Sequence, residues 1–236
     1  MNSASSTIGP LPAKARIMIV DDHVIVRQGI AQLVNREPDL DVCCEAGDAD
    51  SALAVLRSRP VDLAIVDISL PGTSGIELVK LLHQQKPGLP VLMMSMHDES
   101  LYSDRAFRAG AKGYVMKQEA TEKLLMAIRK ILNGGVYVSD RMQTVMVQRF
   151  LSSGMDQTVS FIDNLTDREF EILSMIGQGL SVSEIAAKLG RSVKTVEAHR
   201  ANLREKLGLG REKAIMRLAL AWGMPHTPSE GASAPR

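Results

Sequence analysis

The stretch LAIVDISLPGTSG (residues 63–75) decides how the chain is read. It opens as an apolar run of strand length, reaches a bare carboxylate at Asp67, and passes into a Pro71-Gly72 turn. A charge at the end of a buried strand is costly unless it is paired or bound to a metal, and open α/β sheets place their sites at the carboxyl ends of strands. Asp67 is therefore a candidate site residue, and Leu63–Val66 a candidate core strand.

Outward from this segment, apolar runs alternate with helical patterns. Ile17–Val20 reads as a strand, and Val26, Ile30, Leu33 and Val34 then recur at helical spacing. Asp41–Glu45 is a short strand followed by a helical Ala49–Arg57. After the strand at 63–66 come the helix Ile76–Gln85, the strand Val91–Ser95, a helix around Ser103–Ala109, the strand Gly113–Met116 and the helix Thr121–Leu132. Five βα units of this kind predict an α/β fold, a doubly wound parallel sheet covered by helices on both faces. The first domain then spans 16–133, behind a Ser/Pro/Ala-rich leader at 1–15 expected to be disordered.

Beyond Gly134 the pattern weakens. Residues 134–163 read as a linker that holds one amphipathic helix (Met142, Val145, Phe150, Leu151) and a polar Ser-Ser-Gly stretch. The block 164–224 is helical throughout. Thr166-Asp167-Arg168-Glu169 and Ser181-Val182-Ser183-Glu184 match the capping box, Ser192 is a third N-cap, and glycines at 179, 190 and 208 mark helix ends. The tail, 225–236, is expected to be disordered.

Composition narrows the function classes. With 236 residues, 45% of them hydrophobic, the chain can bury one good core or two smaller ones. No apolar segment approaches a membrane span and the N-terminus lacks a secretory core, so a cytosolic protein is expected. The formal net charge is only +1. Between Arg16 and Lys130 there are 14 basic and 16 acidic residues, and between Asn164 and Met224 there are 10 basic and 7 acidic. The first domain is thus mildly acidic and the second mildly basic. Aromatic residues at 3% leave little for stacking bases in a single-strand groove, so any nucleic-acid role falls to a helix. The two cysteines, Cys43 and Cys44, are adjacent on a strand and expected to point to opposite faces, which argues against a disulfide and against zinc.

Four other polar residues fall at the same end of the predicted sheet as Asp67. Asp21 and Asp22 follow the first strand, Ser95 closes the fourth, and Lys117 follows the fifth. Singly, each reads as a cap or a solvated side chain; together, three carboxylates would repel one another unless a hard cation sat among them, and Mg²⁺ prefers such oxygen ligands. With Mg²⁺ bound, Asp67 is the natural nucleophile toward a phosphoryl group, Lys117 pairs with the transferred oxygens, and the Ser95 hydroxyl bonds to the acyl phosphate.

IVDDH (19–23), Asp67 with LPGTSGIEL, the MMS ending at Ser95 and the AGAKGYVMK ending at Lys117 resemble the receiver domain of bacterial two-component response regulators. The resemblance implies that Asp67 takes its phosphoryl group from a sensor histidine kinase, with Mg²⁺ held by Asp21, Asp22, Asp67 and the backbone carbonyl of Ser69. It also implies that Ser95 and Tyr114 are the switch residues. His97, two residues past the switch serine, is read as a loop residue rather than a phosphotransfer histidine.

In LSVSEIAAKLGRSVKTVEAHRANLREKLGLG (180–210), a short helix carrying Ile185, Ala186 and Leu189 inward is followed by the turn Gly190-Arg191 and a longer helix after Ser192. Val193, Val196, Leu203 and Leu207 lie on one face of the longer helix, leaving Lys194, Thr195, Glu197, Ala198, Arg200, Ala201 and Arg204 on the other. A helix-turn-helix presents itself to a major groove in this way, although ordinary helical bundles share the geometry. Small residues at 198 and 201 permit close approach to bases, and Lys194, Arg200 and Arg204 can reach phosphates.

The segment NLTDREFEILSMIGQGLSVSEIAAKLGRSVKTVEAHRANLREKLG is similar to the LuxR-type DNA-binding domain of NarL/FixJ-group regulators. That similarity implies base-facing positions at Glu197, Ala198 and Ala201, with Lys194, Thr195, His199 and Arg200 nearer the backbone. Glu197 can accept from a cytosine amino group or pair with Arg200 on its own helix. The final helix, Arg211–Trp222, carries a stripe of Ile215, Leu218, Ala219 and Trp222 that reads as core first and dimer support second.

The expectation is a phosphorylation-promoted homodimer that reads two half-sites in promoter DNA, with no membrane role and no turnover of external substrates. Three rivals stand beside it. An aspartyl-nucleophile phosphatase wants a second acid two residues past the nucleophile, where this chain has Ser69. The others are an adaptor whose second domain binds protein, and a receiver that acts without phosphorylation.

Overall fold

The computed structural model describes residues 14–96, 99–140, 142–144 and 164–208. By contact the chain divides into two compact units, Met1–Asp67 with Val79–Val138, and Ile68–Leu78 with Ser139–Arg236.

In the first, β1 (Ala15–Val20), β2 (Leu40–Ala46), β3 (Leu63–Asp67), β4 (Val91–Ser95) and β5 (Gly113–Met116) form one parallel sheet in the order β2-β1-β3-β4-β5. Its helices are α1 (Val24–Asn35), α2 (Ala49–Ser58), α3 (Gly75–Gln85), α4 (Glu99–Arg108) and α5 (Ala120–Leu132), the last entered through a 3-10 turn at Lys117–Glu119. This is the doubly wound α/β architecture expected. The helix read around Ser103 begins earlier, at Glu99.

Both faces of the sheet are covered, which is why its strands read as unbroken apolar runs. Ile17, Ile19, Leu63, Ile65, Leu92, Met94 and Val115 pack with Ile30 and Val34 of α1 and with Leu124, Ile128 and Ile131 of α5. The alternate residues Met18, Val20, Ala64, Val66 and Met93 are equally buried. Each such side chain contributes roughly 1.5–3 kcal/mol through burial. The chain leaves β1 for β2 at one edge and returns across it to β3, so the strand order reverses between β1 and β3. The crevice at their carboxyl ends is where a sheet of this topology binds ligands.

The edge pairing corrects one expectation. Ile17 pairs with Val42 but Met18 pairs with Cys44, so Cys43 is an extra residue in a β-bulge. A bulge breaks strand alternation. Cys43 and Cys44 therefore do not point apart; their Sγ atoms lie 3.3 Å from each other.

The helical unit contains α6 (Asp167–Gly177), α7 (Val182–Lys188) and α8 (Val193–Leu207). The capping boxes form as predicted: Thr166 accepts from Glu169 N while Glu169 accepts from Thr166 N, and Ser181 and Glu184 do the same. Ser192 caps α8 by accepting from Thr195 N. Gly208, at φ 63°, ends α8 in the left-handed conformation that only glycine adopts without strain. Phe170, Leu173, Ile185, Leu189, Val196 and Leu203 are buried, and Lys206 Nζ reaches Glu169 Oε2 at 2.8 Å, tying α8 to α6.

Met142 is buried in a helical turn, while Val145, Phe150 and Leu151 of the expected linker helix lie outside the described residues. So do residues 1–13 of the leader, the tail, the Arg211–Trp222 helix and His97, whereas Ala15, expected in a disordered leader, opens β1 because its amide bonds to Asp39 O beside the edge strand. Among the described residues no helix is long and apolar enough to cross a membrane.

Candidate functional site

β3 is buried along its whole length, and Asp67 is its last residue, paired with Met94 of β4 and 2% exposed. Its carboxylate is not left bare. Lys117, the first residue after β5, places Nζ 2.7 Å from Asp67 Oδ2 and 2.7 Å from Asp21 Oδ2. Asp21 follows β1 directly and is fully buried, its amide bonded to Ala46 O at the end of β2. The three residues come from three strand ends, so the sheet itself fixes their spacing.

His23 completes the cluster. Its backbone N–H donates to Asp21 Oδ1 at 2.8 Å, and its Nδ1 lies 3.2 Å from that atom and 2.7 Å from Asp22 Oδ1. The ligand atoms of Asp21, Asp22, His23 and Asp67 all lie within 4.8 Å of one another. Reasoning from sequence did not single out His23, although IVDDH placed it beside both acids. It also N-caps α1 by backbone alone, so neither Asp21 nor Asp22 serves as that helix's cap.

Three carboxylates against one ammonium leave a net charge of two negatives in a crevice whose inner members, Asp21 and Asp67, are buried. Burial alone would depress the Lys117 ammonium, but the charge of Asp67 and the hydrogen bonds to Asp21 and Asp67 outweigh it and hold Lys117 above an ordinary lysine. A hard dication with oxygen ligands balances the remainder, so the donor set fits Mg²⁺.

Ser95 closes β4 fully buried, and Tyr114 of β5 is 1% exposed and hydrogen-bonded to it. Burial pushes the Tyr114 phenol well up, the Ser95 bond partly opposes this, and the charges of Glu99 and Asp67 add to the rise. The phenol stays protonated. Ser69 is half-buried two residues past Asp67. The loop that follows is closed by its own bonds, Gly75 N to Ile68 O at 2.8 Å and Thr73 N to Pro71 O at 3.1 Å, with Gly72 at φ 79°.

On α8, Lys194, Glu197, Ala198 and Ala201 are exposed, and Thr195, His199 and Arg204 are half-buried. Burial, then the charge of Arg168, hold the His199 imidazole below its ordinary value, with Arg191 adding and Glu169 opposing. Two residues depart from the face assigned by spacing. Arg200 is only 5% exposed, with Nη1 on Glu197 Oε1 at 3.1 Å, so it is not on the open face, while Glu197 itself stays exposed. Val193, placed inward, is 49% exposed because it starts the first turn, before the helix reaches its neighbours.

Residues 17–129 match the response regulator receiver domain, and residues 163–219 match the LuxR family of bacterial regulatory proteins. The chain is 41% identical over 201 residues to the transcriptional regulatory protein UhpA of Escherichia coli, covering 85% of this chain and 95% of that one. It is 36% identical over 209 residues to the oxygen regulatory protein NreC of Staphylococcus aureus, covering 87% and 96%. Among solved structures it resembles RcsB of Salmonella enterica serovar Typhimurium, bound to promoter rprA in the presence of phosphomimetic BeF3−. That match has a TM-score of 0.59 and 25% identity, over 88% of this chain and 98% of RcsB. Strand-end acids and lysine on a doubly wound sheet, followed by a capped helix-turn-helix, place the chain in the NarL/FixJ group of DNA-binding two-component response regulators.

Proposed function

We propose that Asp67 accepts a phosphoryl group from a sensor histidine kinase and that this converts the chain into a dimer that binds promoter DNA and regulates transcription. The observation that carries the reading is Lys117, buried and bonded at 2.7 Å to both Asp21 and Asp67. An oxygen of Asp67 attacks the phosphorus of the kinase's phosphohistidine, so that a P–O bond forms as the P–N bond breaks and the imidazole keeps the bonding pair. Lys117 stays charged and turns from carboxylate oxygen to phosphoryl oxygen. Asp21, Asp22, Asp67 and the carbonyl of Ser69 would hold Mg²⁺, which would supply the rest of the charge neutralisation. Ser95 donates its hydroxyl to the acyl phosphate, and Tyr114, bonded to Ser95, follows it. That movement alters the α4–β5–α5 face and favours dimerisation.

The readout is α8. A dimer presents two such helices to two half-sites, with Ala198 and Ala201 allowing approach to the bases and Lys194 contacting phosphate. The RcsB complex on promoter DNA supports this reading by similarity. Exchange with a kinase and with promoter DNA places the chain in the cytoplasm, as a regulator rather than a turnover enzyme.

The test is a titration against random duplexes at fixed salt, with and without acetyl phosphate and Mg²⁺, on wild type and Asp67→Asn. The donor is expected to tighten binding and enrich a two-fold symmetric sequence in wild type alone. Equal binding by both proteins would remove the phosphorylation switch, and no binding by either would remove the DNA readout.

A further inference from the structure

The Cys43–Cys44 pair lies outside the phosphoryl site and takes no part in it. The bulge turns the two side chains to one side of β2, where Sγ meets Sγ at 3.3 Å. β2 is an edge strand, and both cysteine residues are partly exposed. Cys43 Sγ is held against Ile17 O at 3.4 Å, and Arg59 donates to Cys43 O at 2.8 Å, so the backbone carrying the pair is anchored on both sides.

Two sulfurs so placed can bond to each other or to a third atom. Direct bonding is disfavoured, because adjacent Cα atoms are about 3.8 Å apart across a trans peptide, below the roughly 4.4–6.8 Å that disulfides span. A bridging atom suits them better. With bonds of about 2.3 Å, as thiolates make to zinc, a 3.3 Å separation subtends an angle near 90° at the bridging atom. A tetrahedral ion wants a wider angle and two further ligands, and among the described residues no other histidine, cysteine or carboxylate joins this pair in a metal-binding group. A pyramidal three-coordinate centre with a lone pair needs two sulfurs at about this angle and nothing more from the protein.

We propose that Cys43 and Cys44 form a dithiol site that chelates a trivalent arsenical. In the reaction with an organoarsenic(III) oxide, both S–H protons pass to the arsenic-bound oxygen, which leaves as water while two As–S bonds form. No electron is transferred and no oxidant is needed. Burial first, then the neighbouring Cys43, pushes the Cys44 thiol up to about 12, so at neutral pH Cys44 keeps the proton that it passes to the departing oxygen.

Because the chain has only these two cysteines, thiol chemistry on the full protein reports on them alone. Reduced protein is titrated with phenylarsine oxide and followed by intact mass and by free-thiol count, alongside Cys43→Ser and Cys44→Ser variants checked for folding by circular dichroism. The expected result is one adduct, heavier by the probe less one water, with both thiols lost and release by a dithiol but not by a monothiol. Each serine variant should bind about 10²-fold more weakly, since the second As–S bond is intramolecular. Two probes per chain, equal retention by a folded single variant, or no adduct would overturn the proposal. So would loss of two hydrogens under mild peroxide in a protein that does not capture the arsenical, which would mark the pair as a redox couple.

Discussion

Lys117 Nζ lies 2.7 Å from Asp67 Oδ2 while also holding Asp21 Oδ2 at the same distance, so one ammonium bridges two buried carboxylates from different strand ends. Removing it leaves uncompensated charge beside two buried carboxylates. Lys117→Met is expected to cost about 3 kcal/mol or more in the presence of a chelator. Millimolar Mg²⁺ should recover part of that loss, and more of it than it adds to wild type. Thermal melts of both proteins with and without Mg²⁺ check this; a Mg²⁺ response no larger in the variant would count against a cation among these carboxylates.

Arg16 and Asp62 give a prediction in acid. The bidentate hydrogen bonds from Arg16 hold the Asp62 carboxyl at about 2, below its ordinary 3.8, with burial opposing. Since the folded value is the lower one, the pair's stabilisation is complete above about pH 4 and fades as the pH falls toward about 2. Both side chains are a third or more exposed, so the effect is small. The urea midpoint should fall less between pH 5 and pH 3 in Asp62→Asn than in wild type.

Thr166 closes one end of the capping box on α6, accepting from Glu169 N. Thr166→Ala is expected to destabilise the chain by about 1 kcal/mol, and Thr166→Ser to restore most of that. Urea denaturation followed by helical circular dichroism reads both.

Lys194 and Arg200 should separate on DNA. Lys194 is exposed, so Lys194→Ala should weaken binding evenly across sequences and reduce the salt slope by about one. Arg200 is buried against Glu197, so Arg200→Ala should lower the unfolding midpoint and leave the salt slope nearly unchanged. Titrations at several salt concentrations, paired with melts, distinguish the two.

The features legible in the sequence were those set by nearby residues or by an element's own period. Asp67 at a strand end, the two capping boxes and the Ser192 cap each depend on a few neighbouring positions, and each is present in the structure. The bulge at Cys43 was not legible because it depends on register against β1, which no periodicity within β2 records. Arg200 was misassigned because apolar spacing defines a single stripe, whereas α8 packs with both α6 and α7 and buries a wider arc. His23 was not legible because a single histidine beside two acids carries no spacing signal, although its backbone and ring bind both of them.

The sheet order has a consequence for how the protein is made. Lys117 enters the chain 50 residues after Asp67, at the end of the strand that completes the far edge. A nascent chain halted before β5 has emerged carries Asp67 and the acid pair but not the ammonium that bridges them. Its carboxylates must take up protons, recruit a cation or stay apart. The phosphoryl chemistry proposed for Asp67 therefore becomes available only when the last strand docks, and an abandoned synthesis product lacks it.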